Sequence, residues 1–165
     1  MYELKDNELV FAKVRPDAII PTKEEGNAGY DIYANFEEDY MIIPAHSTRL
    51  VPTGIASAMT SNWYLQVEER GSTGSKGIKK SAGVVDSNYR GEIFIAVSNV
   101  NDKNIVIVKD NIPCNAEYIT YPYSKAIAQL VVHEVPKMEV NEIGYEELLE
   151  IPSTRGVGAL GSSGK

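Results

Sequence analysis

The sequence contains only one cysteine, Cys114, in 165 residues. A single cysteine cannot form an intrachain disulfide or a thiolate metal cluster, so we expect a reducing environment. The first ten residues lack the basic-then-apolar pattern of a secretory signal, and no apolar run approaches the length of a membrane span. The sequence therefore predicts a protein of the cytoplasm, or of the host cytoplasm if a virus or phage encodes it, with no membrane partner.

Basic residues are fewer than acidic ones: the chain has 16 Lys and Arg and 23 Asp and Glu, which gives a net charge of −7. This balance argues against a protein that coats nucleic acid, so no nucleic-acid partner is expected. It does not exclude a small anionic ligand, since a few local cations and backbone amides hold phosphate within an acidic protein. With 43% hydrophobic residues, the chain can bury the core of one domain.

Helical pattern is also scarce, since only residues 142–150 (EIGYEELLE) resemble a helix. Runs rich in β-branched and aromatic residues recur at short intervals, which indicates an all-β sandwich or barrel. The expected strands are 8–14, 29–34, 40–45, 49–56, 63–69, 92–100, 104–109, 117–121 and 126–135. Two contain almost uninterrupted apolar runs, which either a second subunit or the chain's own core would cover on both faces.

Three segments combine glycine with cations: RGSTGSKG (70–77), YRGE (89–92) and RGVGALGSSGK (155–165). None fits a P-loop or a Rossmann fingerprint, which argues against both classes of enzyme. Glycines let backbone N–H groups converge on an anion, so these loops are suited to hold a polyphosphate from several sides. For the last segment, a disordered tail is the alternative.

Three side chains could carry chemistry on such a ligand. Asp86 could orient and deprotonate a water, Tyr89 could lie against a sugar and exclude bulkier substituents, and Asp31 could hold the waters of a Mg²⁺ ion. Each also has a structural alternative: a hairpin closure for Asp86, a half-buried strand position for Tyr89 and a solvated loop acid for Asp31.

Five segments, in order along nearly the whole chain, resemble the motifs of the trimeric dUTPase family. They are AGYDIYA (28–34), RGSTGSKG (70–77), AGVVDSNYRGEI (82–93), KAIAQLVV (125–132) and STRGVGALGSSG (153–164). The resemblance implies a jelly-roll-like β fold and a homotrimer whose active sites lie between subunits. It implies hydrolysis of dUTP to dUMP and pyrophosphate with Mg²⁺. It further implies a β domain at 1–150 and a glycine-rich arm at 151–165 that closes a neighbouring site.

The same resemblance assigns roles to individual residues. Asp86 would activate the water that attacks the α-phosphorus, and Tyr89 would stack on the deoxyribose. The backbone of Gly83, Val84 and Val85 would read uracil.

Residues of the other motifs would contact the phosphates and the metal. Arg70, Ser72 and Gln129 would contact phosphates, and Arg155 would clamp the γ-phosphate when the arm closes. Asp31 would face Mg²⁺ through water.

The chain departs from the family pattern in three places. Gly71 follows Arg70 where the family has serine, and Leu160, followed by Gly161 and Ser162, stands where the family has phenylalanine. Leucine covers a base without ring stacking, so we expect weaker closure of the arm. The third departure is an insertion at 110–124, which is either a surface excursion or a docking surface for a regulatory protein.

Three other functions remain open at this stage. A dCTP deaminase, or a bifunctional relative, would share the fold. A regulatory module would use the same fold to bind a partner, which the insertion and Gly71 would favour. A carbohydrate-binding β-sandwich would explain the strands but not the glycine-rich arm.

Overall fold

The computed structural model describes residues 1–109 and 116–159. Two compact units make up the chain, Met1–Val135 and Pro136–Lys165. The strands of the first unit are β1 (Val10–Lys13), β2 (Gly29–Ile32), β3 (Tyr40–Ile43), β4 (Thr48–Pro52), β5 (Ile55–Ala58), β6 (Trp63–Glu68), β7 (Ile78–Lys80), β8 (Val84–Val85), β9 (Phe94–Asn99), β10 (Asn104–Val108), β11 (Tyr118–Pro122) and β12 (Ala128–Glu134). A single helical turn, α1 (Gly71–Gly74), follows β6.

The strands form four small sheets around one apolar core. Their orders are β1-β5, β11-β10-β3, β2-β12-β6-β8 and β4-β9-β7. Ile, Val and Leu side chains from these strands fill the core, including Ile32, Leu65, Ile95, Ile105 and Leu130 at 1% exposure or less. The predicted all-β, jelly-roll-like class is confirmed. Burial alternates along β5 and β6 and is nearly continuous along β9 and β10, which lie deeper in the core.

One predicted strand, 49–56, is in fact two strands, β4 and β5. The chain breaks between them because Gly54 has a φ of +67°, a left-handed conformation that ends regular extension. A side chain at Gly54 would also collide with Ala18 and Asn35. Strands β7 and β8 were not predicted, because runs of three and two residues carry no readable alternation.

The insertion contributes an edge strand to the fold. Strand β11 pairs in parallel with β10, with Asn104 opposite Tyr118 and Val108 opposite Pro122. The Tyr123 amide continues this pairing by donating to the Val108 carbonyl at 2.7 Å. Residues 110–115 of the insertion lie outside the described residues.

The second unit contains helix α2 (Tyr145–Glu150), as the pattern of 142–150 predicted. Its described apolar side chains are exposed, among them Met138, Val140 and Leu148. Leu160, Gly161 and Ser162 lie outside the described residues, and the division at 150/151 stays a prediction. Across residues 1–109 and 116–159, no helix is long and apolar enough to cross a membrane.

A half-buried ion pair, Arg15–Glu92, ties the start of the fold to the segment before β9. The Glu92 carboxylate accepts two hydrogen bonds from the Arg15 guanidinium, one of them 3.0 Å long, and two from the Thr53 and Gly54 amides at 3.0 and 2.7 Å. Arg15 also donates to the carbonyl of the buried Asn35 at 2.9 Å. The pair therefore joins three loops.

Burial alone would raise the pKa of Glu92. The hydrogen bonds from Arg15 and from the Gly54 amide, with the positive charge of Arg15, outweigh burial and hold the pKa below its ordinary value of 4.5. A carboxyl whose pKa is lowered on folding stabilises the fold above its unfolded pKa, and that contribution is lost as the pH falls through the folded value.

We expect Glu92→Gln to lower the free energy of unfolding at pH 7 by about 2 kcal/mol, because it leaves charge-assisted donors without an anion. The native protein should lose stability as the pH falls below 4.5 and through the lower pKa of folded Glu92, and the variant should lose less. Urea denaturation at several pH values measures both effects. Glu68→Gln is the control, since among the described residues Glu68 forms one ion pair, a partly exposed contact with Lys80 at 3.6 Å. Equal acid sensitivity of Glu92→Gln and the native protein would contradict this account.

Candidate functional site

Strand β12 places two of the predicted site residues side by side. It runs between β2 and β6, with Gln129 opposite Asp31 on one side and opposite Glu68 on the other. The side-chain amide of Gln129 (Nε2) donates to the carbonyl of Glu69, the residue after β6, at 2.8 Å. On β2, Gly29 is required here, because a Cβ would lie only 2.9 Å from the Cβ of Gln129.

Arg70 follows β6 and reaches back across this row. Its guanidinium contacts Asp31 at 2.9 Å (Nε to Oδ1) and 3.3 Å (Nη2 to Oδ2). The third nitrogen, Nη1, makes longer contacts of 3.4 Å to the Ser72 hydroxyl and 3.5 Å to the Ala126 carbonyl. The turn is fixed by Thr73, whose side chain accepts from the Arg70 amide and donates to its carbonyl, both at 3.0 Å.

A first cleft of about 560 Å³ opens on one side of the Arg70–Asp31 pair. Its walls are polar, and its charged members are Lys23, Glu24, Asp31 and Arg70. The residues lining it are Thr22, Lys23, Glu24, Asn27, Ala28, Gly29, Asp31, Tyr33, Arg70, Gly71, Ser72 and Gln129. A cleft with balanced charges and several amide and hydroxyl groups is suited to a polar anion that brings its own cation.

A second cleft of about 420 Å³ lies on the other side of the pair. Beyond the shared residues, it gains Lys76, Tyr121 and Lys125. Within the described part of the chain, neither lysine forms an ion pair. The Tyr121 hydroxyl donates to the Ala126 carbonyl at 2.6 Å, and burial raises its pKa although Arg70 nearby acts to lower it. The cations make this cleft electropositive.

The hairpin that carries Asp86 and Tyr89 lies at the opposite edge of the sheet. Strand β8 pairs with β6, and the Gly83 carbonyl accepts from the Val67 amide at 2.7 Å. The turn closes with a bond from the Tyr89 amide to the Asp86 carbonyl at 3.1 Å. Asp86 is exposed, and Tyr89 is 44% exposed.

Three strand spacings separate β2 from β8 in the order β2-β12-β6-β8, which amounts to about 14 Å. Asp86 and Tyr89 accordingly line neither of the two clefts beside Arg70. One copy of the chain therefore presents the polar clefts and the hairpin on different edges of this sheet.

The structure thus brings together only part of the predicted site. Asp31, Arg70, Gly71, Ser72 and Gln129 line the first cleft. The hairpin residues Gly83, Val84, Val85, Asp86 and Tyr89 lie elsewhere in the same unit. Arg155 belongs to the second unit, where its guanidinium donates to the Gly158 carbonyl at 2.8 Å.

Sequence reasoning did not assign Lys23, Tyr33 or Lys125 to the site. Thr22 forms an isolated β-bridge with Asp31, in which the Thr22 carbonyl accepts from the Asp31 backbone amide at 2.8 Å. This bridge places the next residue, Lys23, at the cleft. Lys125 was visible at the start of the fourth motif, but a lysine in a turn has no signal that distinguishes it from a solvated one. Only the parallel placement of β11 brings that turn beside Arg70.

No three His, Cys, Asp or Glu side chains are grouped to bind a metal ion within residues 1–109 and 116–159. The carboxylates of the first cleft are Asp31 and Glu24. Such a donor set suits a cation held mainly by its ligand's phosphates and by water, as Mg²⁺ prefers.

Comparison with known proteins identifies the family. A family model described as dUTPase matches residues 15–164. The deoxyuridine 5'-triphosphate nucleotidohydrolase of Kluyveromyces lactis is 34% identical over 167 residues, covering 100% of this chain and 99% of that protein. The enzyme of the same name from Helicobacter pylori (strain Shi470) is 34% identical over 160 residues, covering 94% of this chain and 96% of that protein.

Solved structures show the same fold. The dUTPase of Staphylococcus bacteriophage 80alpha with dUPNHPP matches with a TM-score of 0.76 at 20% identity, covering 96% of this chain and 99% of that one. The native EIAV dUTPase matches with a TM-score of 0.61 at 21% identity, covering 84% and 98%. From the family model and the full-length relatives, together with this fold, the chain belongs to the dUTPase family.

Proposed function

We propose that this enzyme hydrolyses dUTP to dUMP and pyrophosphate. The observation that carries the proposal is the convergence of Asp31, Arg70, Ser72 and Gln129 in one polar cleft, although up to 98 positions separate them in the sequence. Cations and amides at such a cleft hold phosphates, and phosphoryl-type hydrolysis depends mostly on positioning and charge stabilisation.

Asp86 supplies the base in this mechanism. Its exposed carboxylate accepts a proton from a water molecule, whose oxygen then bonds to the α-phosphorus. The bond between the α-phosphorus and the bridging oxygen breaks, and pyrophosphate leaves with that oxygen. In-line displacement of this kind requires the water and the leaving group on opposite sides of the phosphorus.

The hairpin selects the nucleoside. Strand β8 is at the edge of its sheet, so Gly83, Val84 and Val85 have backbone groups on the side away from β6 with which to read uracil. The Tyr89 ring lies over Gly91, where a Cβ would come within 2.6 Å of its Cζ. Held there, the ring faces a deoxyribose and excludes a 2′-hydroxyl.

The phosphates bind at the first cleft through Arg70, Ser72 and Gln129. Gly71 removes a side chain from this turn, and a Cβ there would meet nothing within 4 Å. Space therefore does not explain the glycine, and the hydroxyl that the family carries would fit.

Mg²⁺ fits this site as a substrate-borne ion. Asp31, and Glu24 on the same cleft wall, would hold it through water, while the triphosphate supplies the remaining oxygens. When bound, the ion neutralises phosphate charge. In the absence of the ion, Asp31 holds the Arg70 guanidinium in place.

A homotrimer would complete the site, because the phosphate cleft and the hairpin lie on opposite edges of one sheet. Exposed apolar side chains support an interface, notably Leu50 at 62% and Phe94 at 45% exposure on the sheet β4-β9-β7. The arm at 151–165 would close a neighbouring site through Arg155 and through Leu160, Gly161 and Ser162. The cytoplasmic location stays a prediction.

The alternative functions gain no specific support. On the described residues, no observation favours a dCTP deaminase or a purely regulatory module over dUTP hydrolysis. The insertion at 110–124 supplies a strand and one wall of the second cleft, and a regulatory partner bound there stays a prediction.

We expect Asp86→Asn to lower kcat for dUTP by about 10²-fold or more, because loss of a general base typically costs that much. Pyrophosphate release with a panel of dUTP, dCTP, dTTP and UTP measures the effect. Asp102→Asn is the matched control, since Asp102 is an exposed aspartate whose one ion-pair partner among the described residues is His46. Turnover that survives in Asp86→Asn, or a native preference for another nucleotide, would sink the proposal.

Arg70→Lys should raise KM for dUTP by about tenfold, since lysine keeps the charge but loses the planar fork that Asp31 and phosphate share. Steady-state kinetics with saturating Mg²⁺ measure the change. Arg49→Lys is the control, because Arg49 is exposed and, within the described part of the chain, its side chain donates to the Thr48 carbonyl alone. An unchanged KM in Arg70→Lys would exclude Arg70 from phosphate binding.

Mixed oligomers test whether two copies share a site. Asp86→Asn and Arg70→Ala should each be nearly inactive alone. Refolded together in equal amounts, they should recover about a quarter of native activity, because that share of sites receives an intact Asp86 from one copy and an intact Arg70 from another. If each site belonged to one chain, mixing would restore nothing.

A further inference from the structure

The turn that bears Tyr89 is braced by its own hydrogen bonds. The Tyr89 hydroxyl donates to the Glu92 carbonyl at 2.8 Å, and the Arg90 guanidinium donates to the Ser87 carbonyl at 2.6 Å. Gly91, between Arg90 and Glu92 in the sequence, has no side chain and so leaves the space that the Tyr89 ring occupies. The ring is therefore fixed relative to the backbone of Glu92.

That backbone is in turn fixed by the Glu92 side chain. Its carboxylate is 12% exposed and accepts four hydrogen bonds, two from Arg15 and one each from the Thr53 and Gly54 amides. The next residue, Ile93, is buried, and its carbonyl accepts from the Thr53 hydroxyl at 2.6 Å. A carboxylate with four donors, two of them from one charged guanidinium, is among the strongest polar anchors available to a loop.

These two observations form one chain of contacts from the core to the ring. Arg15 holds the Glu92 carboxylate, and the Glu92 carbonyl holds the Tyr89 hydroxyl. Neither Arg15 nor Glu92 lines the two clefts beside Arg70. Whatever the Tyr89 ring does to a ligand therefore depends on the Arg15–Glu92 pair, which holds the backbone that the ring bonds.

We propose that Arg15 and Glu92 are positioning residues that set the place of the Tyr89 ring and thereby determine how strongly the enzyme rejects a sugar with a 2′-hydroxyl. This inference rests on the proposed function for its substrate. A ring held in one place excludes an extra oxygen by steric overlap, whereas a ring that moves makes room for it.

The test compares Glu92→Gln with Arg15→Lys, and with Glu38→Gln as control, since Glu38 is exposed and lines neither cleft. The ratio of kcat/KM for dUTP to that for UTP is measured at a temperature where denaturation curves show each variant folded. Glu92→Gln should lower the ratio about fivefold or more, the scale of one lost hydrogen bond. Arg15→Lys should lower it less, and Glu38→Gln should leave it unchanged.

Tyr89→Phe provides a variant that does not disturb the buried anchor. It keeps the ring and removes the donor to the Glu92 carbonyl, so the ratio should fall as it does in Glu92→Gln. A merely structural role for Glu92 would reduce turnover of both nucleotides in proportion and leave the ratio unchanged, which would overturn the inference.

Hydrogen exchange of the peptide spanning 84–91 gives a readout that needs no substrate. Its amides include that of Tyr89, which bonds the Asp86 carbonyl at 3.1 Å. Exchange should quicken in Glu92→Gln and not in Glu38→Gln. Unchanged exchange would refute positioning. If the native enzyme did not hydrolyse dUTP, the proposed function would fail, and exchange alone would decide whether Glu92 holds the turn.

Discussion

The candidate site depends on one constraint, the pairing of β12 with β2 on one side and β6 on the other. This pairing sets Asp31, Gln129 and Glu68 in a row and leads β6 directly into Arg70. A slip of one residue would turn every side chain of β12 to the other face. Leu130, fully buried beside Gln129, prevents such a slip, so the core that stabilises the sheet also sets the register of the site.

Much of the fold could be predicted from the sequence, because β-branched runs between turn residues report strands directly. The break at Gly54 could not, since a left-handed glycine within an apolar run looks like any other residue until Asn35 and Glu92 surround it. Strand β8 was missed for a different reason. Two residues show no period, and only pairing with β6 defines them as a strand.

The residue types and the order of the motifs were enough to predict which residues belong to the site, but not how they contact one another. Asp31 and Arg70 were both identified, but their direct contact follows from sheet register and a helical turn, which local sequence does not encode. Lys125 shows the same limit, since its place beside Arg70 comes from the strand that precedes it in the insertion.

The chain has a net charge of −7, yet it places positive side chains together where a phosphate ligand would bind. Asp31 holds two nitrogens of Arg70, so the guanidinium is oriented before any ligand arrives and loses less freedom on binding. Among the described residues, its third nitrogen makes only the long contacts to Ser72 and Ala126, so it stays available for phosphate. Lys76 and Lys125 add positive charge on one side without neutralising partners among the described residues.

The hairpin from Gly83 to Glu92 is divided between an exposed tip and a half-buried base. Substitutions at the tip remove little burial, so natural variation can explore them at nearly constant stability. At the base, each change breaks bonds that join three loops. Evolution of a new nucleotide preference along this lineage is therefore biased toward the tip, and a change at Glu92 would persist only in a chain with stability to spare.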